Sequence, residues 1–88
     1  MTFEWDEEKA AENLAKHGIP FAYATRVFDD PYHIEADDPG FYDEIRYDAI
    51  GMVENVLLFV AFTYRQDNIR LISARKATPR ERRQYHEI

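Results

Sequence analysis

Seven consecutive apolar residues, Val56-Leu57-Leu58-Phe59-Val60-Ala61-Phe62, constrain this chain more than any other stretch. The run is too short to cross a bilayer, which takes about 20 residues as a helix. Residues 56–64 are apolar on both faces, the pattern of a strand at the centre of a sheet. Glu54-Asn55 before it suits a two-residue hairpin turn, and Gln66-Asp67-Asn68 after it marks another turn. Residues 69–75 then alternate cationic and aliphatic side chains, as a strand does. Thr78-Pro79-Arg80-Glu81 has the order of a capping box: a hydroxyl at the cap, Pro at N1, Glu at N3. The helix it opens carries an apolar stripe of Tyr85 and Ile88, too little to persist undocked.

The N-terminal half reads as follows. Phe3-Glu4-Trp5 is a short strand. Asp6 is an N-cap, Glu7 and Glu8 suit the positive end of a helix, and Gly18 closes it after Lys16 and His17. Ala10 and Leu14 form its apolar face. Pro20 starts a second helix over residues 20–28, with Phe21, Ala24 and Phe28 on one face and Asp29-Asp30-Pro31 ending it. Residues 32–36 form an irregular or edge strand, residues 37–44 an acidic loop, and residues 45–53 a further strand. Gly51 marks a bulge or a close approach of backbone in that strand. These elements make one domain over residues 1–88 of class α+β. It has an antiparallel sheet, two N-terminal helices and one C-terminal helix, the helices gathered on one face.

Composition narrows the class. Hydrophobic residues at 45% and aromatics at 15% exclude a disordered chain. The chain has no cysteine, so neither a disulfide nor a thiolate metal site is available. No signal peptide is visible, and a cytoplasmic protein with no membrane segment is expected. The net charge of −6 alone argues against nucleic acid. Its distribution does not: residues 1–64 hold four Lys/Arg and fourteen Asp/Glu, whereas residues 65–88 hold seven Lys/Arg and three Asp/Glu. The basic end can meet an anion while the acidic remainder faces water or a basic partner.

Several segments together resemble the BrnT family of toxins: Phe-Glu-Trp-Asp-Glu-Glu-Lys, Asn-Leu-Ala-Lys-His-Gly-Ile, Arg-Tyr-Asp-Ala-Ile-Gly, Thr-Tyr-Arg, and Ile-Arg-Leu-Ile-Ser-Ala-Arg-Lys-Ala-Thr-Pro-Arg-Glu-Arg. They follow in order over nearly the whole chain. The resemblance implies a RelE-like fold and a ribonuclease that arrests translation. It also implies neutralisation by a BrnA-like ribbon-helix-helix antitoxin, a hetero-oligomeric complex, and contact with operator DNA only through that antitoxin. A Gly would be expected near Asn55, where Asn serves a positive φ nearly as well.

A ribonuclease without metal or cofactor needs cations for the phosphorane and a group to take the 2′-hydroxyl proton. With the resemblance, Arg65, Arg75 and Lys76 are the expected phosphate clamp. As residues alone they read as solvated strand ends with local ion pairs to Asp67 or Glu81. His17 is the acid–base candidate, its ordinary pKa of about 6.5 suiting proton transfer, although it also suits a helix C-terminus regardless of function. Lys16, Arg70, Arg80, Arg82 and Arg83 are expected RNA contacts, and Tyr64 and Trp5 could stack on bases. Tyr85 reads as a docking anchor. A metallonuclease using His33, Glu35 and Asp37 is a weaker alternative. A non-catalytic co-repressor bound to a ribbon-helix-helix partner is the main rival.

Overall fold

The computed structural model describes residues 2–40 and 43–87. In chain order it contains β1 (Thr2–Trp5), α1 (Glu7–His17), α2 (Phe21–Ala24) and a 3₁₀ turn (Thr25–Asp29). These are followed by β2 (Ile34–Asp37), β3 (Tyr47–Val53), β4 (Val56–Arg65), β5 (Asn68–Lys76) and α3 (Pro79–His86). Residue 88 of the expected apolar stripe on α3, and residues 41 and 42 of the acidic loop, lie outside the described residues.

The sheet order is β1-β5-β4-β3-β2, with β4 in the middle. Three of the four pairings are antiparallel, as expected, but β1 runs parallel to β5, so the sheet is mixed. The Glu54-Asn55 hairpin has φ 49° and 70°, both left-handed, which is why Asn can stand where Gly is expected. Asp6 caps α1 by accepting from the Glu8 and Lys9 N–H groups, and Gly18 ends it at φ 73°.

The helices do not all lie on one face. Alternate residues of β4 point to opposite sides. Leu58, Val60 and Phe62 join Ile69, Leu71 and Ala74 beneath Ile19, Phe21, Ala24 and Val27 of the α1–α2 side. Leu57 and Phe59 point the other way, and there Tyr85 of α3 packs with Ile50, Met52 and Ala77. A strand apolar on both faces needs cover on both, and only α3 remains to supply the second.

Two local readings change as well. The second helix is α-helical only for residues 21–24 and then tightens to 3₁₀ winding, with Pro20 as the cap. In that winding residues three apart eclipse, so Phe21, Ala24 and Val27 face the sheet, and Val27 is buried in place of Phe28. The irregularity in the sheet lies not at Gly51 but in β5, where Ala61 pairs with Ser73 and Phe62 with Leu71, leaving Ile72 extra. Gly51 is instead a close approach. A Cβ there would sit 2.7 Å from Val27 Cγ1 and 3.0 Å from the Val27 carbonyl oxygen.

Helix α1 docks through Asn13 rather than Leu14, which is 49% exposed. Asn13 lies at the edge of β5 beyond the end of β1. Its Nδ2 donates to the Ala74 carbonyl at 2.9 Å and its Oδ1 accepts from the Ala74 N–H at 3.0 Å. The amide thus acts as one more peptide unit of the missing neighbour strand, and Nδ2 also donates to the Ile19 carbonyl. Replacing Asn13 with Ala strips partners from three buried backbone groups and should cost about 2–4 kcal/mol in urea unfolding. Gly51→Ala should cost about 1–3 kcal/mol by overpacking against Val27.

Candidate active site

The side of the sheet that carries α3 also collects cations. Register decides this: Phe59 pairs with Arg75, Thr63 with Arg70, and Arg65 with Asn68. Cross-strand partners share a face, so Arg65, Arg70 and Arg75 all belong to the α3 side. Lys76 pairs with Leu58 and therefore belongs to the α1–α2 side.

Arg75 is the most closely held of them. Its guanidinium carbon lies 4.2 Å from the centre of the Phe59 ring. Its fork donates to both carboxylate oxygens of Glu81, at 2.8 and 2.9 Å, and it also reaches the Lys76 carbonyl at 3.2 Å. Glu81 accepts from the Thr78 N–H at 2.9 Å while the Thr78 hydroxyl accepts from the Glu81 N–H, completing the capping box. One carboxylate therefore both caps α3 and fixes the cation. Burial alone would raise the Glu81 carboxyl, but the Arg75 fork and the Thr78 N–H outweigh it and hold it below its ordinary value.

Beside this pair opens a cleft of about 560 Å³ between β2, β3 and α3, lined by Ile34, Asp48, Ile50, Phe59, Arg80 and Glu81 among others. Asp48 is the titratable group that this environment perturbs most in the cleft. Burial, a hydrogen bond with Asp38, and the charges of Asp38 and Glu81 push its carboxyl up to about 6, against the pull of Arg75. Its Oδ1 is buried and has no hydrogen-bond partner among the described residues.

The far end of α3 is tied down by Asp30. Asp30 Oδ2 accepts from the Tyr85 hydroxyl at 2.5 Å and from the Met52 N–H at 2.8 Å, and Oδ1 accepts from the Tyr32 N–H. Burial and the Asp30 carboxylate push the Tyr85 hydroxyl up to about 12, so Tyr85 is an anchor and a poor proton donor near neutrality.

The three-cation clamp on one phosphate is not assembled. Because β4 and β5 are antiparallel, Arg65 ends β4 at the turn while Arg75 ends β5 at the opposite end. Six residues of strand, roughly 20 Å, separate their positions. Arg70 is paired with Glu4 at 2.8 Å. Lys16 and His17 border a separate groove between α1 and β5, with Asn13, Ile72 and Ser73. Tyr64 lies against Tyr47 and Phe62, with its hydroxyl 3.4 Å from Glu35, and Trp5 packs edge-on to Phe21. Arg80, Arg82 and Arg83 are exposed on α3 and make no ion pair among the described residues, Arg80 facing the cleft.

The His33, Glu35 and Asp37 ligand set does not form, and no group of metal-ligating side chains occurs among the described residues. The His33 ring is already engaged, with Nδ1 2.8 Å from the Asp30 carbonyl and Nε2 2.8 Å from Glu35. Sequence reasoning missed Asp48 and Asp30. The available signal for Asp48 was an acidic residue inside a strand otherwise apolar from Tyr47 to Val53.

Asp48 also makes a stability prediction. A carboxyl raised in the folded state favours folding while protonated, and that contribution is lost as pH rises from the ordinary 3.8 through about 6. Asp48→Asn should match the wild type in chemical denaturation at pH 4. By pH 8 it should be more stable by about 1 kcal/mol, once solvent screening is allowed for.

Among known proteins, the model of the family described as "Ribonuclease toxin, BrnT, of type II toxin-antitoxin system" matches residues 5–81. A search of curated proteins finds no matching relative. The matched span runs from the end of β1 to Glu81, so it takes in the Arg75–Glu81 pair, Asp48 and the whole sheet apart from the first residues of β1. The chain belongs to the BrnT family of ribonuclease toxins of type II toxin–antitoxin systems.

Proposed function

We propose that this chain is an endoribonuclease that arrests translation by cutting RNA in the cleft between α3 and the sheet, with no metal or cofactor. The observation that carries this reading is Arg75, stacked on Phe59 and fixed by a two-pronged bond to Glu81 at the cleft wall. A guanidinium held in this way presents its remaining N–H edge with little entropy left to lose, which suits a phosphate whose negative charge grows in the transition state. Arg80 stands at the cleft mouth with Arg82 and Arg83 along α3, and Arg70 and Arg65 extend the same face away from it. A single strand laid across this face would meet these cations at successive phosphates rather than at one. Lys76, Lys16, His17 and Tyr64 lie on other surfaces and serve, in this reading, as outlying RNA contacts.

The fold is then RelE-like and the protein cytoplasmic. Its activity is held in check by a BrnA-like ribbon-helix-helix antitoxin in a hetero-oligomeric complex, with operator DNA touched only by that partner. The acidic surface of the N-terminal two-thirds suits a basic partner segment. The rival, a non-catalytic co-repressor, draws on the same ion pair. If Glu81 holds Arg75 only to dock α3, the arginine is structural.

Activity separates the two. Purified protein should cleave single-stranded RNA in EDTA, and Arg75→Ala should lower the cleavage rate about 10²–10³-fold, the cost of losing one preorganised charge stabiliser. Intact cleavage in that variant, or none in the folded wild type, would favour the co-repressor. Binding of a non-cleavable RNA should weaken with salt, and Arg80→Ala should flatten the slope by about 0.7 log units per log unit of salt.

A further inference from the structure

We propose that Asp48 is the general base of the cleft, taking the 2′-hydroxyl proton of a nucleotide whose phosphate rests on Arg75. The inference deepens the ribonuclease reading and rests on it. Asp48 sits on β3 between Ala36 of β2 and Ala61 of β4, its two cross-strand partners. Both are minimal side chains, and Asp48 lines the cleft with its Oδ1 buried. Two strands across and two residues along lies Arg75, whose side chain reaches back over Phe59 toward it. Asp48 lines the cleft, and Arg75 stands behind its wall, bonded to the lining Glu81 and stacked on the lining Phe59, so base and cation come to one place from different strands of a rigid sheet, as in-line attack needs.

The groups facing Asp48 set its strength. Asp38, just after β2, shares a hydrogen bond with it; Glu81 faces it from α3 and Arg75 from β5, while Arg46, two residues before it in sequence, pairs with Glu44. The two acidic neighbours and burial raise its proton affinity, while Arg75 limits the rise. A carboxylate of this kind is mostly ionised at neutral pH and is a stronger base than a solvated one. His17 sits at the α1 groove and not in the cleft.

The step balances without a co-reactant. The Asp48 carboxylate accepts the 2′-hydroxyl proton, the 2′-oxygen bonds to the adjacent phosphorus, and the bond from phosphorus to the 5′-oxygen breaks. Water protonates the departing 5′-oxygen, and Asp48 gives its proton to solvent. The products are a 2′,3′-cyclic phosphate and a 5′-hydroxyl end.

The test is single-turnover cleavage of a single-stranded RNA in EDTA from pH 5 to 8.5, comparing the full-length wild type with Asp48→Asn, Asp48→Glu and Arg75→Ala. Affinity for a fully 2′-O-methylated RNA is measured alongside. The wild-type rate should fall about tenfold per pH unit below the Asp48 titration. Asp48→Asn should be slower by about 10²–10⁴-fold, lose that acid limb, and bind the methylated RNA at least as tightly. Asp48→Glu should recover part of the rate. Arg75-dependent cleavage that survives in Asp48→Asn within threefold, or keeps its acid limb, would overturn the role of Asp48 and leave the ribonuclease reading standing. A folded wild type that cuts no RNA, or that leaves 3′-hydroxyl ends, would remove the proposal altogether.

Discussion

β4 buries side chains on both of its faces, and the rest of the molecule is arranged to keep water off them. Leu58, Val60 and Phe62 require one layer, and Leu57 and Phe59 require another. The helices α1 and α2 supply the first as a continuous packed layer with aliphatic and aromatic contacts. The second is thinner, since α3 has no buried residue of its own. It therefore leaves part of that face open, and the opening is the cleft. A concave surface arises here because the second cover is incomplete.

What holds α3 in place is mainly polar. Its N-terminus is fixed by Glu81 to Arg75 and Thr78, and its C-terminal turn by Tyr85 to Asp30. Hydrogen bonds that involve a charged partner are worth about 1.5–3 kcal/mol each, enough to dock a helix too short to form alone. The two ends respond to acid differently from the cleft between them. Asp30 has burial working to raise it, but the Tyr85 hydroxyl and two backbone N–H groups leave it below its ordinary value. Its contribution is present at neutral pH and fades as pH falls. Asp48 has the opposite sign, since its charged form is disfavoured by burial and by its acidic neighbours.

The same register that builds the site dismantles the simplest reading of its cations. Arg65, Arg75 and Lys76 look adjacent when each is described as the end of a strand. In an antiparallel pair the ends of consecutive strands are the far ends of the ladder, so Arg65 and Arg75 part company, and side-chain alternation sends Lys76 to the other face. The Arg75–Glu81 pair was legible because a cation before a capping box can reach the N3 glutamate. Asp48 was not, because its meaning depends on Asp38, Glu81 and Arg75, which come from three other parts of the chain. Asn13 was hidden for a similar reason: an asparagine inside a helix reveals nothing until a strand edge is brought to it.

Local physics was readable from residues alone: the Asp6 and Gly18 caps of α1, the left-handed Glu54-Asn55 hairpin, the capping box of α3, and the two-sided burial of β4. Each depends on neighbours within a few positions, where steric and hydrogen-bond rules are stringent. Tertiary structure alone decided that β1 lies parallel to β5, that α3 covers the face opposite α1 and α2, and that 3₁₀ winding turns Val27 inward. It also decided which charged groups meet in the cleft. Those outcomes turn on the register between distant strands and on which element is left to cover an apolar face, and neither is encoded in any single stretch of chain.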